Sequence, residues 1–436
     1  MSETLFANGR IVDVREGVTR EAVVLVRDGE IISVDPGPPS PRRPAADTAA
    51  DADTAREPQD VTVVDLGGRY LMPGLLSLHV HPGLMEGFRN DPNGVDEARA
   101  RRDLAIWPRF GVTTVQGLGT DRPFGFEVMR DRRTGEARYL TVGSGFGVAG
   151  GVPPLHIVDP PGPLRSSDAD EIRRALEGLR ERGASGVKLW YDDWYAQMPK
   201  MAPEIARLVI ETSARLGLRT YAHVYRVDDA KDLVRMGLRT LAHMPRDRVA
   251  DDELWTLMKE HDVAVIPTLT VPDTNVVYLD RPSFLDDPLV VAHLPEGAVA
   301  FVRSEEFQSG IRAKPEFPRL RDDLADASAN VFAAYRAGVR IGFGTDAGVS
   351  QRIVGFGEHR ELGLLVTAGV HAADAIRMAT LGSAEVIDRD DLGEIAPGRR
   401  ADLVVLREDP LAEVRALRTI ESVWIDGTRV AGPLLA

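Results

Sequence analysis

The chain contains no cysteine among its 436 residues. This absence excludes disulfide bonds, thiolate metal ligands and a cysteine nucleophile. The sequence also lacks a Gly-x-Ser-x-Gly motif, the usual setting of an exposed serine nucleophile. Any bound metal must therefore be held by His, Asp, Glu or a modified side chain.

Basic charge is also scarce. The chain has 53 Lys and Arg residues against 67 Asp and Glu residues, which gives a formal net charge of −14. This balance disfavours nucleic acid and anionic membrane surfaces as partners, since both need a basic surface. No apolar run reaches the roughly 18–20 residues of a membrane span. Met1–Arg10 has no basic stretch followed by an apolar run, as a secretory signal would. We therefore expect a soluble cytoplasmic protein that acts on a small molecule.

Both ends of the chain have short strand patterns. They cover residues 5–14 and 21–34, resume at 61–65, and return at 403–406 and 422–425. Residues 35–60 are rich in Pro, Ala and Asp and have almost no large apolar side chains, so we expect a mobile loop there, with an interdomain tether as the alternative. Neither end is large enough for a core of its own. We therefore predict one composite β-sandwich domain from residues 1–70 and 383–436.

Between these ends, strand patterns alternate with helical patterns. We expect helices at 169–182, 203–216, 228–236 and 251–261. The eight predicted strands cover residues 75–81, 112–118, 139–145, 186–191, 219–225, 240–244, 263–269 and 340–346. This alternation predicts an α/β fold, a (β/α)8 TIM barrel over residues 71–382. A doubly wound open sheet is the alternative, but no Gly-rich dinucleotide-binding turn follows a first strand. Residues 271–320 are predicted to be a long irregular insertion on the catalytic face.

The pair His79 and His81 is the first candidate site. Residues i and i+2 of a strand point to the same side, so both imidazoles converge at the carboxyl end of the first barrel strand. Barrel active sites lie at that end, and imidazole suits zinc and similar divalent metals. Taken alone, the pair is as consistent with two exposed polar histidines.

Other metal-binding side chains end further predicted strands. His223 ends the fifth strand, His243 the sixth and Asp346 the eighth. With His79 and His81, four of only nine histidines thus fall at the same end of three strands, which chance placement explains poorly. Together these residues predict a metal centre at the barrel mouth.

Lys188 ends the fourth strand and allows two interpretations. An ammonium group would be repelled by a dication, so the lysine could simply pair with Asp192 or Asp193. Alternatively, CO2 carboxylates the lysine and gives an anion that can bridge two metals. The low polarity of a barrel mouth favours the free amine that reacts with CO2. Spacing alone leaves both interpretations open.

Jointly, these motifs resemble the amidohydrolase superfamily. The resemblance covers nearly the whole chain, and the lysine makes it greatest for the binuclear branch of imidazolonepropionase-related and prolidase-like members, since deaminase-type members typically lack that lysine. The matching segments are Pro73-Gly74-Leu75 with His79-Val80-His81, Val187-Lys188, Ala222-His223, Ala242-His243, Gly344-Thr345-Asp346 and Gly393–Val404.

The resemblance implies two divalent metal ions, with zinc as the default. His79, His81 and Asp346 would hold one ion, His223 and His243 the other, and N6-carboxylated Lys188 would bridge them. It implies hydrolysis of a C–N amide bond in a dipeptide-like or N-acyl amino acid substrate by metal-activated hydroxide, with Asp346 as the proton acceptor and donor. Hydrolysis of a cyclic amide, lactone or ester, a mononuclear deaminase and a non-catalytic relative are the alternatives. Relatives often form homo-oligomers.

We predict substrate contacts from residues that share a strand face with a predicted ligand and from residues in nearby loops. Trp190 shares a strand face with Lys188, and Tyr225 shares one with His223. His156 lies in the Gly-rich loop after the third strand, and His359 has a similar status early in a late helix. A clamp for a substrate carboxylate has these weaker candidates: Tyr225, Arg226, Arg303, Arg312 and Lys314.

Overall fold

The computed structural model describes residues 3–35, 61–86, 88–158, 162–294 and 296–434. Residues 36–60 of the predicted loop lie outside these ranges, whereas Asp35 ends a strand. Within the described ranges, the helices do not combine the length and the apolar character needed to cross a bilayer.

The strands are numbered in chain order. They are β1 Glu3–Asp13, β2 Val18–Arg27, β3 Glu30–Asp35, β4 Val61–Asp65, β5 Tyr70–Pro73, β6 Leu75–Val80, β7 Met85–Glu86, β8 Arg89–Asn90, β9 Val112–Gly119, β10 Arg138–Ser144, β11 Val187–Trp190, β12 Thr220–His223, β13 Thr240–Leu241, β14 Ala264–Val265, β15 Leu403–Leu406, β16 Ile420–Ile425 and β17 Thr428–Ala431.

The α-helices follow the same numbering. They are α1 Glu97–Ile106, α2 Gly125–Arg130, α3 Ala169–Arg182, α4 Pro203–Arg215, α5 Val227–Arg235, α6 Asp252–Glu260, α7 Thr270–Val277, α8 Pro288–Val291, α9 Ala298–Arg303, α10 Glu305–Arg312, α11 Leu320–Ala337, α12 Phe356–Thr367, α13 Ala372–Arg377 and α14 Ser383–Val386. The four helices predicted from periodicity are α3 to α6, and α3 has the predicted bounds because Asp168 caps its start and Gly183, at φ 81°, ends it.

The middle of the chain forms two parallel sheets. One has the order β10-β9-β6 and the other β11-β12-β13-β14. A parallel bridge from Phe146 to Leu189 joins the sheets, and another joins Val265 to Ile341. The N–H of Leu78 on β6 donates to the carbonyl of Phe343. The pairings thus follow sequence order from β6 to the segment around Ile341 and return to β6.

The prediction of an eighth strand is wrong. Residues 340–346 contribute a single bridge residue, Ile341, rather than a strand. The segment contains Gly342 and Gly344, and Asp346 has a φ of 60°, which ends extended backbone. The remaining residues still border β6, so Asp346 at the end of the segment lies beside His79.

The prediction that segment 271–320 is irregular is also wrong, because the segment is mostly helical. It contains most of α7 and all of α8, α9 and α10. These helices have four to eight residues, which is shorter than the windows in which helical periodicity is detected. Asp287 caps the start of α8 and Ser304 caps the start of α10, and both are residue types that favour this position.

Both ends of the chain meet in one eight-stranded sheet. Its order is β17-β16-β15-β5-β1-β2-β3, with β4 paired to β1. The antiparallel pair β5 and β15 joins the two ends. Phe6 and Ile11 from the first end pack with Leu403 and Val405 from the other. The sandwich form and the predicted domain bounds stay predictions.

Candidate metal centre

Asp346 lies at the centre of the predicted ligands. Its Oδ1 is 3.0 Å from Nε2 of His79 and 2.7 Å from Nε2 of His81. Its Oδ2 accepts a hydrogen bond from Nη2 of Arg352 at 2.6 Å. Burial alone would raise the pKa of Asp346, but the charge of Arg352 and a hydrogen bond from His79 hold it well below its usual range. The carboxylate is therefore ionised where two imidazoles meet it.

His243 and His223 continue the cluster. The ring centroids of His79 and His243 are 4.8 Å apart, and those of His223 and His243 are 4.5 Å apart. Nε2 of His223 lies 2.9 Å from Oδ2 of Asp192. Burial lowers the pKa of His79 to about 3, and it also lowers the pKa values of His223 and His243. These imidazoles are therefore neutral, which is the form that binds metal ions.

Two threonines orient the rings. Nδ1 of His81 lies 2.7 Å from Oγ1 of Thr120, and Nδ1 of His243 lies 2.6 Å from Oγ1 of Thr268. The Thr268 hydroxyl donates to the carbonyl of Pro267, so its oxygen accepts from Nδ1–H of His243. Nε2 of His243 then keeps its lone pair for a metal. In the described part of the chain, Nδ1 of His79 has no such partner.

Lys188 is almost completely buried, with 1% of its surface exposed. Burial lowers its pKa to about 7. The predicted ion pair with Asp192 or Asp193 is wrong, because Asp192 contacts His223 and Asp193 pairs with Arg226. The side chain fits beside β9 only because residue 119 is glycine, since a Cβ there would lie 2.6 Å from Cγ of Lys188.

A single cavity of about 650 Å³ contains the site. The ligand atoms of His79, His243 and Asp346 all lie within 4.8 Å of one another, a spacing that one metal ion can span. His81, His223 and Lys188 fall outside that group but line the same cavity. The structure therefore brings all six predicted side chains to one cavity. Their roles as ligands stay predictions.

The predicted substrate residues divide in two groups. Trp190, His156 and Lys314 line the cavity. The Tyr225 hydroxyl instead donates to Asp323 at 2.9 Å, and Nε2 of His359 faces the carbonyl of Phe110. The remaining clamp candidates have acidic partners: Arg226 with Asp193, Arg303 with Asp286 and Arg312 with Glu305. Substrate binding by Trp190, Tyr225 and His156 stays a prediction.

Sequence reasoning missed Arg246 and Arg352, which both line the cavity. Each lies in a loop after a predicted ligand, three residues beyond His243 and six beyond Asp346. The alternation of side chains along a strand does not continue into a loop, so the sequence pattern could not predict where either arginine points. Their position just after a ligand on the catalytic face is the signal that could have found them.

Comparison with known proteins identifies the class. The amidohydrolase family model matches residues 70–430. The chain therefore belongs to the amidohydrolase family, and its predicted resemblance to that superfamily is confirmed.

Among the relatives is ochratoxinase from Aspergillus niger, which is 25% identical over 405 residues, or 83% of this chain and 76% of the relative. A solved Xaa-Pro dipeptidase with methionine bound in its active site has a TM-score of 0.74 at 20% identity, covering 99% of this chain and 100% of that one. A prolidase complexed with N-methylphosphonate-L-proline has a TM-score of 0.74 at 21% identity and the same coverage. These structures are similar in fold, and the relatives support a hydrolase.

Proposed function

We propose that the chain is a metal-dependent hydrolase on a (β/α)8 barrel, and that it cleaves the C–N bond of dipeptide-like or N-acyl amino acid amides. One observation carries the proposal: Nε2 of His79 and Nε2 of His81 both meet Oδ1 of Asp346 in a large cavity. The ring of strand pairings from β6 back to β6 supports the barrel. The names of the relatives support the reaction class.

The donor set fits divalent metal ions. Neutral imidazoles and an ionised carboxylate are the ligand forms that zinc takes, and burial favours the neutral rings at this site. His79, His81 and Asp346 would hold one ion, and His223 and His243 a second. Bound ions would supply Lewis acidity and an activated water near neutral pH.

Lys188 would bridge the two ions after carboxylation. The amine lone pair would attack the carbon of CO2, an N–C bond would form as one C–O π bond opens onto oxygen, and one N–H proton would pass to solvent, so that a neutral amine becomes a carbamate anion. Lys188 is buried and makes no ion pair in the described part of the chain, and its burial outweighs the charge of Asp346 and lowers its pKa to about 7, which disfavours the ammonium form. The negative charge of a carbamate at Lys188 would stabilise the two divalent metal ions.

Asp346 would move the proton. Its ionised carboxylate can accept a proton from the attacking water and give it to the leaving nitrogen, which cannot depart readily as an amide anion. Arg352 holds Oδ2 at 2.6 Å and donates from Nε to the Asp346 carbonyl at 2.8 Å. This bidentate hold keeps Oδ1 directed at the histidines.

The test combines metal analysis with a hydrolysis screen. We expect about two divalent ions per wild-type chain, as a two-metal hydrolase requires, and turnover of at least one class among N-acyl amino acids, dipeptides and cyclic amides. Lys188→Ala should lose metal and activity while it keeps its fold, because the bridge is gone. Exposed Lys259 provides the matched control, Lys259→Ala.

The outcomes separate the alternatives. If Lys188→Ala keeps two ions and full activity, the bridging role is wrong. One ion per wild-type chain with release of ammonia from an amino-substituted ring would indicate a deaminase instead. Removal of CO2 and bicarbonate during metal reloading should lower occupancy in the wild type, and their return should restore it.

A further inference from the structure

The acidic side chains at the inner end of the cavity already have partners. Asp192 accepts from His223 at 2.9 Å and from the backbone N–H of Trp194 at 3.1 Å. Asp346 contacts two histidines and Arg352. The charge of Arg246 also helps to hold the pKa of Asp192 below its usual range, but the two oxygens of Asp192 are already occupied by His223 and Trp194.

Arg246 is a buried cation of the same cavity. It lines the cavity and has 7% of its surface exposed. Its Nη1 is buried and has no hydrogen-bond partner among the described residues, and the guanidinium has no ion pair there either. Its carbon Cζ lies 5.1 Å from the centroid of the Tyr225 ring. A buried guanidinium with an unpartnered N–H group is costly, so an anion that accepts from Nη1 would offset that cost.

We propose that Arg246 binds the free carboxylate of the substrate, and so restricts the enzyme to amides whose amino acid portion ends in a carboxylate. The inference rests on the proposed function. Guanidinium is suited to this task, since its planar N–H groups match the two oxygens of a carboxylate. Arg246 follows His243 by three residues, which places the carboxylate receptor next to the metal ligands.

The aromatic residues of the cavity indicate an apolar amino acid side chain. Trp190, Trp194 and Tyr195 line the cavity, and the rings of Tyr195 and Tyr225 are 4.6 Å apart. Tyr195 is fixed by its hydroxyl, which donates to the buried Asp323 at 2.5 Å. Aromatic side chains in the same cavity as Arg246 fit an N-acyl amino acid with an aromatic or large aliphatic side chain.

Arg246→Met tests the proposal with paired substrates. The best N-acyl amino acid from the screen is compared with its own carboxamide, which differs only in the anionic group. We expect the variant to raise KM for the acid by about 30-fold or more, as truncation of one partner of a buried charge pair does. KM for the carboxamide should change less than about threefold on the same argument, and Arg246→Lys should restore part of the preference.

The matched control is Arg248→Met. Arg248 lies two residues away, is 45% exposed in its side chain and pairs with Asp228 and Asp247. The Arg248→Met substitution removes the same charge outside the cavity, so KM should stay unchanged for both the acid and the carboxamide. Equal losses for the acid and the carboxamide in Arg246→Met would overturn the proposal, because they would indicate a structural role.

A binding measurement separates this proposal from the proposed function. Calorimetric titration of N-acetyl-L-phenylalanine into metal-loaded Asp346→Asn needs no turnover. Binding that is lost in the Asp346→Asn, Arg246→Met double variant supports the carboxylate site even if the wild type hydrolyses no amide. Equal binding to both proteins, or binding to neither, overturns it.

Discussion

At the scale of single residues, the conformation of Asp346 sets the site. Its φ of 60° lies in the left-handed region, which Asp and Asn adopt more readily than most non-glycine residues. Its N–H donates to the carbonyl of His79 at 2.8 Å, and the preceding Gly344 leaves room for His79, since a Cβ at 344 would lie 2.8 Å from the His79 Cβ. The turn therefore directs one carboxylate at both histidines.

Asp346→Asn is the substitution that isolates the chemistry of this residue. Asparagine tolerates the same backbone conformation and has nearly the same shape, but its amide is a poor proton acceptor. We expect the fold to survive and turnover to fall by roughly 10²–10⁴-fold, the usual contribution of a positioned acid–base group. Steady-state kinetics at equal metal content and a melting curve check this. Turnover within a few-fold of the wild type would exclude the proton-transfer role.

The residues of the site differ in how far the sequence predicts them. His79, His81, His223 and Asp346 follow from strand ends, because parallel strands bring these positions to one edge. Arg246 and Arg352 do not, since a long side chain from a loop reaches a place that depends on the loop path. One of the two interpretations of Lys188 paired it with Asp192 or Asp193, whereas Asp192 meets His223 at 2.9 Å, because spacing alone cannot order neighbouring charges.

At the scale of elements, helix α7 links the predicted insertion to the site. It contributes Val271, Thr274 and Asn275 to the cavity. Asp273 on the same helix is 4% exposed and pairs with Arg360 of α12 at 2.5 and 2.6 Å. This bidentate pair holds α7 against a helix that does not line the cavity, so it fixes one wall of the site from behind.

Asp273→Asn should therefore loosen that wall. Loss of a charge-assisted pair with a buried partner costs about 1–3 kcal/mol. We expect faster amide hydrogen exchange in residues 270–277 and a higher KM with a similar kcat. The control is Asp286→Asn, whose carboxylate is 69% exposed in its pair with Arg303. If exchange in 270–277 is unchanged, the pair does not hold the helix.

Elements were predicted unequally for a physical reason. Helix α3 has clear periodicity and both caps, whereas α8 to α10 are short and lie among prolines such as Pro282 and Pro288. Short helices are stabilised by what they pack on rather than by their own periodicity. Strands β13 and β14 have two residues each in the structure, and β14 is followed by Pro267 and by Thr268, whose φ of 49° ends the extended backbone.

At the scale of the whole molecule, the chain ends depend on each other. Leu403 on β15 pairs with Pro73 on β5, and the same strand packs its side chains against Phe6 and Ile11. The union of the two ends could be predicted because neither has enough apolar residues alone. Strand order and register could not, since they depend on long-range pairings that no local pattern records.

One ion cluster fastens this terminal sheet to the parallel sheets. Arg138 begins β10, and its Nη2 lies 2.8 Å from Oδ1 of Asp426 and 3.2 Å from Oδ2 of Asp402. Asp426 has further partners in Arg132 and Arg400, but Asp402 has no other arginine among the described residues. Burial raises the pKa of Asp402, and the charge of Arg138 opposes that rise.

Arg138→Gln should therefore destabilise the fold in a way that depends on pH. It leaves Asp402 buried without its cation, which costs about 3 kcal/mol when that carboxylate is ionised. The pKa of Asp402 then rises further above its unfolded value, so the folded state binds a proton more readily and the deficit shrinks as the pH falls through that pKa. Urea midpoints at pH 8 and pH 5 measure the difference.

Arg173→Gln is the control, because it breaks an exposed pair with Asp170 and should cost under about 1 kcal/mol at either pH. An equal deficit for Arg138→Gln at both pH values would mean that Asp402 does not carry the effect, and adding Asp402→Asn should then recover nothing.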